Sequence, residues 1–377
     1  MKKVLAITMA VMMALSLVAC GGSASAPAET AAAKAETAAA AKAEVKEEAK
    51  TEAAEASSDL PAMDPITIKY AMSYAADHPH AIIFGELCDE IKERTNGAIT
   101  VDLYVANTIG SEQEITDMVR TGDLFGGSIG AQMFENYVPG FAAWRLPFAV
   151  DSCENFVKFF DEYAKDELFN PIMIEQQRVR AISMASGGAR HLSTKGVEVH
   201  KPDDLKGVKI RSMEQPVSIS FIEALGGNPI PIAWSELYMA LQTGTAQGQE
   251  NPLGNIVSSK FYEVQDYVML TGHSAGGGCV ICVNEDAFQA LPKEYQDIIV
   301  DVLTKGSKRI TEEVASMEQD YIKTLKDNNV TVIGKEDLDM DAFKANAKAV
   351  IEKNFSSDAE MREQYKIMED WIAANCK

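Results

Sequence analysis

Three features of the sequence predict an α/β fold of two lobes with a long helix bridging both. Strand and helix patterns alternate from about residue 66, and the alternation restarts beyond a helical segment near Glu154–Ala164. A further helical pattern runs from Pro292 to about Lys326, with Ile298, Ile299, Val302, Leu303, Ile310, Val314, Met317, Tyr321 and Leu325 at helical spacing. At about 1.5 Å per residue that helix would span roughly 50 Å, more than the width of one lobe.

In chain order, Ile66–Tyr70 reads as a strand. Ala81–Arg94 reads as a helix, with Ile82, Ile83, Phe84, Leu87 and Ile91 on one face and Asn96-Gly97 at its end. Ile99–Val105 alternates as a strand. Ser111 with Glu114 makes a capping box for a helix that closes at Gly122, and Leu124–Ile129 is a short strand. Beyond the helix near 154–164, Val179–Ser186 and Val208–Arg211 are strands and Pro216–Leu225 a helix. Ile230–Ile232 follows as a strand, Ser235 caps a helix that stops at Gly244, and Gly272–Asn284 is strand again. After the long helix come a strand at Val330–Ile333 and amphipathic helices near Met340–Asn354 and Asp358–Ala374.

The N-terminus belongs to none of this. Residues 1–19 carry two lysines and an apolar run too short to span a membrane, the layout of a secretory signal. Leu17-Val18-Ala19-Cys20 followed by glycine resembles the bacterial lipobox, which implies cleavage before Cys20 and attachment of lipid to its sulfur. Residues 20–60 form the lipidated cysteine and a spacer of Ala, Glu, Lys, Ser and Thr with no aromatic residue, a composition that cannot bury a core. The expected place for the protein is extracytoplasmic, anchored by that lipid to the outer face of the cell membrane or held in the periplasm.

About 315 residues remain, enough for two lobes. The formal net charge of the whole chain is −21, which excludes nucleic acid as a partner. A chain this acidic needs a local cationic pocket to hold an anion, because its overall field repels one.

Several motifs that suggest catalysis lack their context. Gly126-Gly127-Ser128-Ile129-Gly130 matches the serine-hydrolase elbow, but Pro139-Gly140 interrupts the helix that should follow it. His78-Pro79-His80 lacks the one-face spacing of helical metal sites. Cys279 and Cys282, a C-x-x-C on a strand, point to opposite faces. Glu236, Glu250 and Glu263 are acid/base candidates only in isolation. No cofactor and no metal are expected.

The segment from Gly207 to His273 carries the functional signal. Arg211 closes a short strand, Trp234 precedes a helix start, and Asn251 sits in a turn, Gly-Gln-Glu-Asn-Pro. A guanidinium fork and an amide grip a carboxylate, and an indole covers the apolar part of a small acid, but nothing beside them abstracts a proton. The pattern reads as capture, not catalysis.

Leu241-Gln242-Thr243-Gly244, Gly248-Gln249-Glu250-Asn251-Pro252 and Lys260-Phe261-Tyr262-Glu263-Val264 occur in one order and at one spacing. In this the chain resembles the solute receptors of tripartite ATP-independent periplasmic (TRAP) transporters, which include the C4-dicarboxylate and sialic acid receptors. The likeness extends through Lys206–Arg211, Leu146-Pro147-Phe148 and Asn107–Ser111, covering roughly residues 65–370. The resemblance implies a periplasmic-binding-protein-like fold in which Arg211 bridges the ligand carboxylate, Asn251 supports it, Arg190 makes a second contact and Trp234 walls the pocket. Where some relatives carry a polar or acidic side chain from the first lobe, this chain has Ser73 and Gly130, so the sialic acid pattern is not reproduced.

The expected division is 64–187 plus 277–316 for lobe I and 188–276 plus 317–377 for lobe II. The function implied is capture of a small organic acid and its delivery to a small and a large membrane subunit, driven by an ion gradient. The alternatives are a ligand sensor for a membrane signalling protein and an enzyme acting on small acids.

Overall fold

The computed structural model describes residues 60–376. The expected signal segment, Cys20 and the spacer as far as Asp59 lie outside the described residues. The chain begins β1 (Ile66–Met72), α1 (Pro79–Arg94), β2 (Ile99–Tyr104), α2 (Glu112–Thr121), β3 (Gly126–Gly130). Glu114 N donates to Ser111 Oγ at 3.3 Å and Ser111 N to Glu114 Oε2 at 2.7 Å, completing the capping box. Gly122 ends α2 at φ 84°, a left-handed turn that glycine adopts without a Cβ penalty.

Next come α3 (Pro139–Trp144) and α4 (Cys153–Phe159). The helix expected to end near Ala164 instead continues as a π-helical stretch, Phe160–Phe169, into α5 (Asn170–Gln177). Then follow β4 (Val179–Ala185), β5 (Arg190–Thr194), β6 (Lys209–Ser212), α6 (Pro216–Leu225), β7 (Asn228–Pro231), α7 (Leu237–Thr243), β8 (Gly248–Pro252), α8 (Leu253–Ser258) and β9 (Tyr267–Ser274). The chain closes with β10 (Cys279–Asn284), α9 (Glu285–Gln289), α10 (Lys293–Ser316), α11 (Glu318–Asp327), β11 (Thr331–Ile333), α12 (Met340–Phe355) and α13 (Ala359–Asn375).

Two mixed sheets organise these elements. The first has the order β2-β1-β3-β10-β4, with β1 parallel to β2 and β3, and β10 antiparallel to both its neighbours. The second has the order β11-β9-β5-β8-β6-β7. One face of the first sheet packs on α1 and α10 through Phe84, Leu87, Ile299 and Val302. The other packs on an aromatic core of Phe134, Phe141, Trp144, Phe156, Phe159, Phe160 and Phe169. Phe221, Ile222 and Leu225 of α6 join Leu192, Ile210 and Met269 under the second sheet. Each sheet thus has its own buried core, and the fold is of two lobes.

Several further sequence expectations are corrected. The single strand Gly272–Asn284 is two, because β9 belongs to the second sheet and β10 to the first. The chain changes sheets at Ala275–Gly278, where a side chain on Gly276 would strike the Trp144 carbonyl and a Cβ on Gly278 would lie 2.5 Å from Ala185 O. The segment Gly-Gln-Glu-Asn-Pro is not a turn but β8, paired antiparallel with β5, so that Asn251 faces His191 in register. Ser235 does not cap α7; it sits inside a 3-10 turn, Trp234–Glu236, whose start has no side-chain cap.

The long helix, finally, is broken at Met317 (φ −86°, ψ −2°) into α10 and α11. The break lets the run serve both lobes: α10 packs on α1 and β4 of the first, and α11 on α8 and β11 of the second. At the end of the chain α12 packs on α6, but α13 lies against α3 and α4, with Met361 and Met368 in the first lobe's core. The chain therefore returns to the first lobe within residues that the sequence division kept, as 317–377, on the second.

Candidate ligand-binding site

The strand ends of both sheets surround a cavity of about 360 Å³. Ser73 follows the end of β1, Gly130 ends β3, Arg211 lies near the end of β6, and Arg190 and Asn251 sit at the paired ends of β5 and β8. The 3-10 turn after β7 brings Trp234 to the same wall. All six predicted site residues line this cavity; the predicted lipid site, Cys20, lies outside the described residues.

Arg211 is 3 % exposed. Its Nε donates to Ile232 O at 2.9 Å, its guanidinium lies 5.9 Å from the Trp234 ring centroid, and it forms no ion pair among the described residues. Glu214, close in sequence, acts on it only through space and forms no ion pair with it. Burial, and then the neighbouring Arg190, pull its pKa down to about 10, with Glu250 and Glu112 acting the other way, so it stays cationic at neutral pH.

Arg190 is engaged differently. Its Nε and Nη2 clasp the Glu250 carboxylate, and Nη2 also reaches Glu250 O at 2.7 Å and Asn251 Oδ1 at 3.0 Å. Behind this pair, His273 Nε2 lies 3.3 Å from Glu250 Oε2, and Thr271 Oγ1 lies 2.6 Å from His273 Nδ1. A Thr271 hydroxyl donating to Nδ1 and an Nε2–H donating to Glu250 satisfies both. Asn251 Nδ2 donates to Gln249 Oε1, and Gln249 Nε2 to Ser193 Oγ at 2.7 Å, which orients the Asn251 amide.

Sequence reasoning missed Arg145, Glu112 and Gln132. Arg145 lines the cavity next to the Leu146-Pro147-Phe148 motif and is ion-paired with buried Glu135. Glu112 follows the capping serine, where an acid needs no explanation beyond the helix dipole. Yet its Oε1 accepts from Gly130 N at 2.8 Å and its Oε2 from Gln132 Nε2 at 2.8 Å, both in the cavity wall. A Cβ on Gly130 would strike the Gln132 amide. Gln132 thus occupies the space that a side chain at Gly130 would take, and Glu112 holds Gln132 there. Only packing in three dimensions links these residues; nothing in their spacing does.

Of the motifs set aside, Gly130 and Cys279 line the cavity and Glu250 holds Arg190, while the others lie outside this chemistry. Ser128 is buried, 3.1 Å from His80 Nε2 and 3.3 Å from Tyr70 OH. His78 and His80 stack on either side of Tyr74. Burial pulls His78 down to about 4 and His80 to about 3, so both are neutral at physiological pH and add no positive charge. Cys279 Sγ donates to Tyr74 OH at 3.2 Å and Cys282 Sγ to Gly127 O at 3.4 Å. Glu263 accepts from Tyr238 OH at 2.7 Å, away from the cavity.

Comparison with known proteins adds three kinds of likeness. A family model described as bacterial extracellular solute-binding protein, family 7 (DctP), matches residues 70–358. A solute-binding protein of Verminephrobacter eiseniae is 30 % identical over 298 residues, 78 % of this chain and 87 % of that one. The 2,3-diketo-L-gulonate-binding periplasmic protein of Escherichia coli is 30 % identical over 255 residues, 68 % of this chain and 76 % of its own. Among solved structures, a TRAP periplasmic solute-binding protein of Actinobacillus succinogenes with bound L-galactonate superposes with TM-score 0.74 at 27 % identity, covering 82 % of this chain and 100 % of that one. One from Roseobacter denitrificans with bound 3-deoxy-D-manno-oct-2-ulosonic acid gives 0.74 at 25 % identity, covering 82 % and 99 %.

Proposed function

This chain belongs to family 7 of the bacterial extracellular solute-binding proteins, the TRAP solute receptors, and from that premise we propose how it holds its organic acid. Arg211 takes the ligand carboxylate, Asn251 and Arg190 position it, and Trp234 covers the ligand's apolar side, with Ser73 and Gly130 opposite on the first lobe. The observation that carries this reading is Arg211 itself: a buried guanidinium on the cavity wall with one hydrogen bond and no acid partner among the described residues. A buried cation left this way is costly unless a ligand supplies the anion.

The lobes close over the acid as rigid bodies, with the connections between β4 and β5, between β9 and β10 and at Met317 as hinges. The filled receptor is anchored through lipid on Cys20 and delivers its cargo to a small and a large membrane subunit. The cysteine can be tested alone: Cys20→Ser should move the protein from the detergent-rich to the aqueous phase on membrane partition, and unchanged partition would remove the anchor from the proposal.

Closure is tested with a chain starting at Leu60, titrated with L-galactonate, 3-deoxy-D-manno-oct-2-ulosonate and 2,3-diketo-L-gulonate. Whichever of these binds should lower the radius of gyration in X-ray scattering and shift tryptophan emission. Trp234→Phe should keep the first change and lose most of the second, because the other two tryptophans do not line the cavity: Trp144 is fully buried and Trp371 packs on Phe159 and Tyr163. Binding with neither change would defeat capture by closure.

A further inference from the structure

One contact between the lobes lies apart from the carboxylate seat. His78, in the segment between β1 and α1 on the first lobe, is fully buried, and its Nδ1 accepts from His80 N at 3.1 Å, which caps the start of α1. With Nδ1 so used, the neutral ring carries its proton on Nε2. That nitrogen faces α8 of the second lobe, where a Cβ on Gly254 would lie 2.9 Å from it, so the ring sits where glycine leaves room. Next to Gly254 is Asn255, close enough for its side chain to raise the pKa of the ring against the larger effect of burial.

Yet His78 Nε2 and Asn255 Oδ1, both buried, make no hydrogen bond as the lobes stand. A donor and an acceptor left buried and unpaired are costly, and here each is the complement of the other, one on each lobe. A small further approach of the lobes satisfies both. We propose that His78 and Asn255 form an interlobe latch, an Nε2–H to Oδ1 hydrogen bond that completes closure over the acid. The latch rests on the reading that the protein captures its acid by closing, and it adds what holds the closed form.

The latch works with a neutral ring. Protonation of Nδ1 would cost the bond from His80 N and leave a buried cation between the Tyr74 ring, stacked at 4.4 Å, and α8. Asp77 beside it, and Glu313 and Asp320, which act on Tyr321 next to Gly254, are the nearby acids, but burial outweighs them and holds His78 at about 4. Parting the lobes returns the ring to water and towards its ordinary 6.5, so the closed form binds fewer protons than the open one and acid favours opening. Affinity should therefore fall as pH drops from 6.5 to about 4, by at most about tenfold per pH unit for one linked proton. His80 does not share in this, because its Nε2 is bonded to Ser128 within the first lobe.

Calorimetry and X-ray scattering on the chain from Leu60 test this with L-galactonate, 3-deoxy-D-manno-oct-2-ulosonate and 2,3-diketo-L-gulonate, at about pH 7.5 and about pH 5, on either side of an ordinary histidine pKa. His78→Asn keeps a good cap for α1 but is too short to cross, and His78→Phe keeps an aromatic ring on Tyr74 but has no donor. Each should weaken binding at the higher pH by about fivefold, the worth of one neutral hydrogen bond, and flatten the fall in affinity towards the lower pH. Asn255→Ala should cost the parent about fivefold more than it costs either variant, because the bond is already gone in both. Circular dichroism confirms that each protein is folded. Additive losses, or a pH dependence that His78→Asn leaves unchanged, overturn the latch while the parent still binds and contracts. A parent that binds none of the three acids, or binds without contracting, overturns the capture reading and the latch with it.

Discussion

Arg211→Ala should abolish acid binding at working concentrations while leaving the protein folded. The charge-assisted hydrogen bonds of a buried guanidinium to a carboxylate are worth about 3 kcal/mol, so affinity should fall on the order of a hundredfold. Arg211→Lys should recover little of it, since a point ammonium cannot reproduce the planar fork. The unliganded protein should be no less stable, and even more so, because the substitution removes a desolvated charge that has no acid partner. Thermal unfolding with and without L-galactonate or another binding aldonate checks both halves. A folded Arg211→Ala protein that still gains stability from the acid would reassign Arg211 to structure.

Glu250→Ala should act in the opposite way, on folding before binding. Glu250 is 2 % exposed and joins Arg190 of β5 to β8 and to His273 of β9. Removing it strands a part-buried guanidinium between strands, at a cost of about 3 kcal/mol, the low end for a buried pair. Urea unfolding should show a lower midpoint, and a midpoint within error of the parent would mean that Arg190 finds another partner. Glu250→Leu with Arg190→Met should recover much of the loss, because a matched apolar pair leaves no buried charge unpaired.

The same residue sets an acid limit. Burial alone would raise its pKa, but Arg190 and His273 outweigh burial and hold it down at about 2. A carboxylate with a depressed folded pKa stabilises the fold fully above its unfolded value and loses that contribution as pH falls through the folded one. Stability should therefore decline between about pH 4.5 and about pH 2, and Glu250→Gln should flatten that part of the profile.

Local grammar carried much of the fold into view. The capping box at Ser111, the left-handed stop at Gly122 and the helix Pro216–Leu225 are all where spacing placed them. What stayed hidden depends on partners distant in sequence. Arg-His-Leu-Ser-Thr and Gly-Gln-Glu-Asn-Pro have no apolar alternation, and they become β5 and β8 only because each supplies the other's hydrogen bonds. The apolar stripe from 292 to 326 is continuous, so only the presence of a second lobe explains the break at Met317.

The site divides in the same way. Arg211, Asn251, Arg190, Trp234, Ser73 and Gly130 were legible because linked motifs mark them, and all six reach one cavity. Glu112 and Arg145 were not, because an acid in a first helical turn and a lone arginine beside Leu-Pro-Phe each have an ordinary local explanation. Only where Gly130 leaves room beside Gln132 does Glu112 become part of the wall.

The placement of β10 has a consequence for the order in which the molecule can assemble. It lies between β3 and β4, yet β3 ends at Gly130 and β4 at Ala185, whereas β10 begins only at Cys279. Until the ribosome has delivered residue 284, the first sheet lacks the strand that joins β3 to β4, and those two have no partner on their facing edges. At about 5–20 residues per second, that interval lasts seconds, long for a nascent chain. The first sheet therefore cannot close while the chain is shorter than residue 284, and its folding waits on the segment that has first passed through the second sheet.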